Sequence, residues 1–395
     1  MGYGLGGFLK LRWLAALLLL AGCTVAPEQM PSTATNTSER RQPTSTTSPP
    51  TTTASTDAPT TTDTVSELTT YLVWTSGGLT DGLVSGLEAT FDRISIVTGD
   101  AAELDVGDGQ VVPIDAVGID VVDHAVFDPS GEISELAPGS VILGESSAAH
   151  RGMGVGDTMT FDGVTFPIVA VVSDEVAGWS EVVFDKADDD APVSTNRYAL
   201  IQTDLDRATF ETTVTQLNDG PVPARIRAEA ETPWLRHADG TLPQIMIKQA
   251  LGEFSYPAGS TAELIQDEEF LAENIVTVDM PVFGRVTCHR VVVEMLEGAL
   301  AQISEEGLAG LIDPGEFAGC WNARFINTLT GVPSGVSRHS WGGAIDINAG
   351  SNRLGTKGSM DPRLVEIMKE WGFIWGGDWT VPDPMHFEYG IRPDR

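Results

Sequence analysis

Residues 337–346 read SRHSWGGAID, and residues 383–388 read DPMHFE. The glycine pair after His339 breaks any helix, and the alternation that follows predicts a loop that runs into a strand. Together the two segments offer the imidazoles of His339 and His386 and the carboxylate of Asp346 as metal ligands. Two neutral imidazoles and one carboxylate leave a tetrahedral zinc ion with one open position, which is the catalytic rather than the structural arrangement.

A second carboxylate lies close to the last of these ligands. Asp383 precedes His386 by one short segment, and Pro384 stiffens the backbone between them. Water bound to zinc has a pKa of about 7, and a general base must lie within hydrogen-bond reach of that water. Asp383 is therefore the candidate base, with Glu388 as the alternative. A lone histidine in a loop is usually an ordinary polar residue, but the chain has only 6 histidines, which makes this joint pattern an improbable coincidence.

The pattern Ser-x-His-x-x-Gly-x-Ala-x-Asp, followed by Asp-x-x-His-Phe-Glu, resembles the zinc peptidases of bacterial cell walls. These include D-alanyl-D-alanine carboxypeptidases and dipeptidases and the phage L-alanyl-D-glutamate endopeptidases. The resemblance implies that His339, Asp346 and His386 bind Zn²⁺ and that Asp383 acts as the base. It also implies that Arg324 contacts the substrate carbonyl. Aspartate at the position of the base is typical of the endopeptidase branch.

The resemblance extends over about the last third of the chain and implies hydrolysis of peptidoglycan stem peptides. Ser337, Asn348 and Glu388 are expected to orient the ligands or the substrate, or else to make simple turn hydrogen bonds. A protein of another class remains an alternative. The chain would then be a lipid-anchored, non-catalytic wall-binding protein or a transporter accessory protein.

The composition excludes one class of partner. The chain has 395 residues and a formal net charge of −33. Such a surface repels phosphates, and no basic patch with interleaved aromatic residues is present, so nucleic-acid binding is not expected. The length allows two or three domains with a large buried core.

The N-terminal residues predict export and anchoring. Residues 1–23 have a charged start, an apolar run too short to span a membrane as an ordinary helix, and the ending LAGC, which resembles a lipoprotein signal. Cys23 would then carry the lipid. Residues 24–64 are rich in Thr, Ser and Pro and predict a disordered tether. The expected location is extracytoplasmic, with the protein held to the cell membrane by its lipid.

The rest of the chain predicts an α+β fold in two domains. Residues 65–256 are rich in strand patterns and form a domain of unknown role, a spacer or a module for binding a protein partner or the wall. This region resembles extracytoplasmic domains of macrolide-exporter-type permeases. Residues 257–395 would form the zinc-peptidase domain, with a small antiparallel sheet and packed helices.

Several local patterns make sharper predictions. The Asp162-Gly163 pair predicts a two-residue hairpin turn. Helices are expected from a cap at Thr287 to Gly307, and from Asp361-Pro362 to Gly372.

Two cysteines remain once Cys23 is assigned to the lipid. In an oxidising compartment Cys288 and Cys320 are best interpreted as a disulfide, and a free thiol nucleophile is the alternative.

Overall fold

The computed structural model describes residues 68–231, 240–261, 263–326 and 335–392. All of them lie in one compact unit, Thr64–Arg395. The predicted signal with Cys23 and the predicted tether at 24–64 lie outside the described residues. Within the described ranges, no helix is both long enough and apolar enough to cross a bilayer.

The first part of the unit is dominated by one large sheet. Its elements, in chain order, are β1 Thr69–Trp74, α1 Asp81–Thr90, β2 Ile94–Gly107, β3 Gln110–Ile119, α2 Val121–His124, β4 Val141–Gly144, α3 Glu145–Arg151, β5 Thr158–Phe161, β6 Val164–Val172, β7 Val182–Asp185, β8 Asn196–Thr203, α4 Arg207–Leu217, β9 Arg225–Ala228, α5 Gln244–Leu251 and β10 Tyr256–Pro257. The strand order is β10-β3-β7-β4-β6-β5-β2-β8-β1-β9. Because β3 also pairs with β2, the six strands from β3 to β2 close into a ring.

Side chains fill this ring. Apolar residues from all six strands, among them Leu104, Ile114, Phe161, Phe166 and Phe184, form one buried cluster. The predicted hairpin turn between β5 and β6 is confirmed, since Asp162 and Gly163 have φ of 48° and 81°. Strands β8, β1 and β9 extend the sheet beyond the ring, where α1 and α4 cover it with a second apolar cluster.

The last part of the unit carries smaller sheets and longer helices. Its elements are α6 Glu268–Asn274, β11 Ile275–Met280, β12 Gly284–His289, α7 Arg290–Glu305, β13 Ala344–Asp346, α8 Pro362–Glu370, β14 Phe373–Trp375 and β15 His386–Tyr389. Strands β11 and β12 form a hairpin, and the other three form an antiparallel sheet in the order β13-β15-β14. Helices α7 and α8 pack over them in one apolar core. The expected mixture of helices with a large sheet and small sheets is confirmed, whereas the domain boundary at residue 256 stays a prediction.

The predicted start of α7 was wrong. Thr287 lies inside β12, where it pairs with Thr277, and the helix begins at Arg290. Its cap is His289, whose Nδ1 accepts a hydrogen bond from the Val291 amide at 3.1 Å. The ring can accept because burial lowers the pKa of His289 to about 4 and keeps it neutral. The cap predicted at Asp361 for α8 is confirmed.

Candidate metal centre

A short turn holds the first histidine. Residues Arg338–Trp341 form one turn of 3₁₀ helix, capped by the Ser337 hydroxyl, which accepts from the His339 amide at 3.3 Å. Gly342 ends the turn with φ 61°, and a Cβ there would lie 2.5 Å from the backbone nitrogen of His289. We call residues 338–342 the metal loop. Its backbone can follow this path only because position 342 has no side chain.

Strand pairing brings the other two candidate ligands together. Asp346 on β13 is directly opposite His386 on β15. Directly opposite residues of an antiparallel pair point to the same face, and so do residues two apart on one strand. His386 and Glu388 therefore share the face that also carries Asp346.

The three side chains converge on one point. Each can offer one ligand atom, and these atoms all lie within 4.8 Å of one another. Asp346 Oδ2 lies 3.2 Å from His339 Nε2, and Asp346 Oδ1 lies 3.1 Å from His386 Nδ1. All three residues are buried. This is a group that could hold a metal ion.

Two acceptors fix which ring nitrogen faces the centre. His339 Nδ1 donates to the Cys320 carbonyl at 2.7 Å, which leaves the lone pair on Nε2. His386 Nε2 donates to Glu388 Oε2 at 3.2 Å, so Nδ1 faces Asp346. Such outer contacts orient metal-binding histidines and raise their basicity. The sequence prediction identified Glu388 but missed the Cys320 carbonyl, because a main-chain acceptor leaves no mark in a motif.

The charges at the centre are strongly coupled. Burial alone would raise the pKa of Asp346, but the close contacts with the rings of His339 and His386 hold it far below its usual range. Burial alone would lower the pKa of His386, but hydrogen bonds to Asp346 and Glu388 raise it to about 9. The centre therefore stabilises positive charge, as a cation site must.

The donor set fits a zinc ion. His339 Nε2 is buried and makes no hydrogen bond, although it lies 3.2 Å from a carboxylate oxygen. A buried nitrogen without a partner is costly unless something else satisfies it. Two imidazole nitrogens and one carboxylate oxygen are ligands that zinc commonly takes.

Asp383 faces the same centre. Burial raises the pKa of this carboxyl, and the charges of His386, Asp346, His339 and Arg324 also act on it. Its Oδ1 is buried without a hydrogen-bond partner. Its backbone is held by a bond from the Asp383 amide to the Gly376 carbonyl at 2.9 Å. A carboxylate with a raised pKa and a free oxygen has the properties of a general base.

The segment with Arg324 is tied to the metal loop by one hydroxyl. Ser340, which is fully buried, accepts from the Arg324 amide at 2.9 Å and donates to the Arg324 carbonyl at 2.8 Å. The Ser337 amide donates to the same carbonyl at 3.0 Å. The structure thus brings Arg324 close enough to Asp383 for their charges to interact. Ser340 was not predicted, since a serine inside a histidine loop carries no spacing signal.

The three predicted supporting residues make different contacts. Glu388 bonds to His386, as described above, and Ser337 caps the metal loop. Asn348 lies in a left-handed conformation, and its side chain accepts from the Asp313 amide and donates to the Leu311 carbonyl, both at 2.8 Å. The side chain of Asn348 therefore joins the segment after β13 to residues 311–313, and its role in orienting the ligands or the substrate stays a prediction.

A disulfide lies behind the centre. Cys288 and Cys320 are bonded, with their Cα atoms 5.3 Å apart. The bond joins the end of strand β12 to Cys320, whose carbonyl accepts the hydrogen bond from His339. The ring of Trp379 lies 5.1 Å from that of His386.

Comparison with solved structures gives no assignment for this chain. The periplasmic region of MacB from Actinobacillus actinomycetemcomitans is 15% identical and covers 40% of this chain and 87% of its own, with a TM-score of 0.29. The extracellular domain of the noncanonic ABC-type transporter YknZ from Gram-positive bacteria is 8% identical and covers 40% of this chain and 99% of its own, with a TM-score of 0.28. TM-scores this low do not establish a shared fold.

Sequence comparison points to the last part of the chain. A search of curated proteins finds no match. Residues 330–389 match a peptidase family described as D-alanyl-D-alanine carboxypeptidase. The matched stretch contains His339, Asp346, Asp383 and His386. The match therefore supports a peptidase in this part of the chain.

Proposed function

We propose that this chain is a zinc-dependent peptidase that cleaves peptidoglycan stem peptides at the cell envelope. The cleavage would be that of a D,D-carboxypeptidase or of an L-alanyl-D-glutamate-type endopeptidase. The observation that carries the proposal is the convergence of His339, Asp346 and His386, with Asp383 close enough for their charges to act on its carboxyl group. The family match over residues 330–389 supports the peptidase class.

The side chains at the centre divide the chemical work. A zinc ion held by the three ligands would supply an activated water near neutral pH and would polarise a peptide carbonyl. Asp383 accepts a proton from the attacking water and delivers it to the departing amine. Arg324 stabilises the negative charge that develops on the carbonyl oxygen. His339 and His386 each donate an outer N–H, one to Cys320 and the other to Glu388, and so turn the other ring nitrogen toward the centre.

Digestion of purified peptidoglycan by the zinc-loaded protein tests this function. Mass spectrometry of the products identifies the bond, since release of D-alanine and new D-glutamate amino termini are distinct outcomes. We expect Asp383→Asn to keep stoichiometric zinc and to lose a factor of about 10² or more in turnover. Near-normal turnover of that variant would contradict the assignment of the base. Zinc binding with no cleavage of any muropeptide would favour the non-catalytic wall-binding alternative.

We also propose that the protein is exported and that Cys23 carries its lipid anchor. The support is the LAGC ending of the N-terminal segment. Two or more acyl chains anchor firmly, whereas a single chain is marginal. Fatty-acid labelling of the wild type and of Cys23→Ser in the producing cell tests this. We expect the label and the membrane association to disappear together, and a labelled serine variant would rule the site out.

A further inference from the structure

Helix α5 lies against the metal loop. Trp341 is fully buried, its ring packs 4.8 Å from that of Phe254, and its Nε1 donates to the Gly252 carbonyl at 3.0 Å. Arg338 Nη2 donates to the Leu242 carbonyl at 2.8 Å. The two contacts lie on either side of the first histidine ligand. The chain segment around α5 therefore holds the loop at both ends.

The other face of α5 is fixed to the large sheet by buried charges. Lys248 Nζ lies 2.8 Å from Glu181 Oε2 and 2.7 Å from Glu253 Oε1. Arg151 Nη2 reaches the same two carboxylates at 2.5 and 2.6 Å. Glu181 and Lys248 are fully buried. The two cations and the two anions compensate one another. Removal of any one of the four would leave an uncompensated buried charge and destabilise the cluster.

A further side chain strengthens this attachment. Gln244, at the start of α5, donates to the Pro113 carbonyl at 3.1 Å and to Glu181 Oε1 at 2.9 Å. Glu181 immediately precedes β7, and Pro113 lies on β3. Both belong to the ring or adjoin it. The start of α5 is thus hydrogen-bonded to the six-stranded ring and to the residue that precedes β7.

Apolar packing joins the same parts. One buried cluster contains Val111 from β3, Ile247 and Leu251 from α5, and Val336 and Trp341 from the segment that carries the metal loop. Close-packed interiors transmit displacement because they contain few voids. A shift of α5 against the sheet would therefore reach the metal loop.

From these contacts we infer that α5 is a positioning element for the metal centre, and that Trp341 and Arg338 are its positioning residues. The large sheet then helps to hold the site in place through α5, whether or not it also binds a partner. The part of this inference that concerns zinc rests on the proposed function. The part that concerns the order of the loop does not.

Two variants remove the contacts with little change of shape. Trp341→Phe keeps a buried aromatic ring but loses the donor to Gly252, and Arg338→Met keeps the apolar stem but loses the donor to Leu242. Trp371→Phe is the matched control, because it loses an indole donor whose partner is Gln302 on α7. All are made in the full chain, and their melting temperatures show that each is folded.

Hydrogen exchange of residues 337–347 is measured in the metal-free proteins, and the zinc dissociation constant is measured by competition with a chromophoric chelator. We expect both test variants to exchange faster in this segment and to bind zinc roughly 10-fold more weakly, with the control unchanged in both. Exchange equal to that of the wild type would overturn the inference, whether or not the protein cleaves peptide. Faster exchange with unchanged zinc affinity would overturn the positioning of the metal ligand. Failure of the wild type to cleave muropeptides affects only the proposed function.

Discussion

Glu388 and Asp346 contact opposite nitrogens of the His386 ring. Glu388 bonds to Nε2 at 3.2 Å, while Asp346 lies 3.1 Å from Nδ1. The hydrogen bond on the side of the ring away from Asp346 supports our proposal that Glu388 orients His386 and that Asp383 is the base.

We predict that Glu388→Gln weakens zinc binding by about 10- to 100-fold, because the amide can still accept the hydrogen bond from the ring but lacks the negative charge that makes the imidazole a more basic ligand. At saturating zinc, turnover should fall far less than in Asp383→Asn. Titration of metal-free protein with zinc, followed by peptide hydrolysis at saturation, separates the two effects. Loss of turnover in Glu388→Gln with full zinc occupancy would instead make Glu388 the base.

At the scale of elements, the sequence predicted local structure correctly where one or two residues determine the backbone conformation. The hairpin turn at Asp162-Gly163 requires positive φ, and both residues supply it. The predicted cap of α7 was wrong. Threonine is a residue type that often caps helices, but Thr287 pairs with Thr277 on β11 and is therefore part of a strand. A neutral histidine then takes the cap position. Such a role depends on burial, which a single sequence does not display.

The disulfide connects an element boundary to the metal centre. Its cysteines are 32 residues apart in sequence, and a cross-link of that span contributes about 3 to 4 kcal/mol by the chain-entropy estimate. We predict that the Cys288→Ala, Cys320→Ala double variant loses stability of that order and also binds zinc more weakly, since the carbonyl of residue 320 orients His339. Chemical denaturation and zinc competition measure the two losses. A stable variant with weaker zinc binding would show that the bond serves the centre alone.

At the scale of the whole molecule, the two segments of the motif could be predicted from the sequence. The sheet and the buried charges that hold these segments in place could not. The spacing from His339 to Asp346 and the late His386 point to the three candidate ligands, because the motif is confined to two short segments. The six-stranded ring, and the cluster that joins Glu181 to Lys248, depend on residues far apart along the chain. Alternation and composition predict strands there but do not say which strands pair.

A buried histidine at the end of α2 makes the stability of the molecule depend on pH. His124 is 4% exposed, its Nδ1 lies 2.8 Å from Ser95 Oγ, and burial lowers its pKa to about 4. In the unfolded chain the pKa is about 6.5, so between these values only the unfolded state binds the proton. The free energy of unfolding should therefore fall by about 3 kcal/mol as the pH drops from 6.5 to 4.

Comparison with His124→Gln isolates this contribution, because glutamine does not titrate and all other groups are common to both proteins. Denaturant unfolding in the presence of a chelator gives both curves against pH. The difference between wild type and variant should shrink steadily below pH 6.5 and level off near pH 4. Parallel curves would contradict the prediction.

The two outer hydrogen bonds at the centre determine which ring nitrogen of each histidine faces the ion. The amide side chain that best replaces each histidine as a ligand should therefore differ between the two positions. A glutamine side chain reaches about as far as the Nε2 of an imidazole, and an asparagine about as far as the Nδ1. His339 turns Nε2 inward and His386 turns Nδ1 inward, so His339→Gln and His386→Asn should retain more zinc than His339→Asn and His386→Gln. Ranking these four proteins by their zinc dissociation constants would show in solution that His339 binds the ion through Nε2 and His386 through Nδ1.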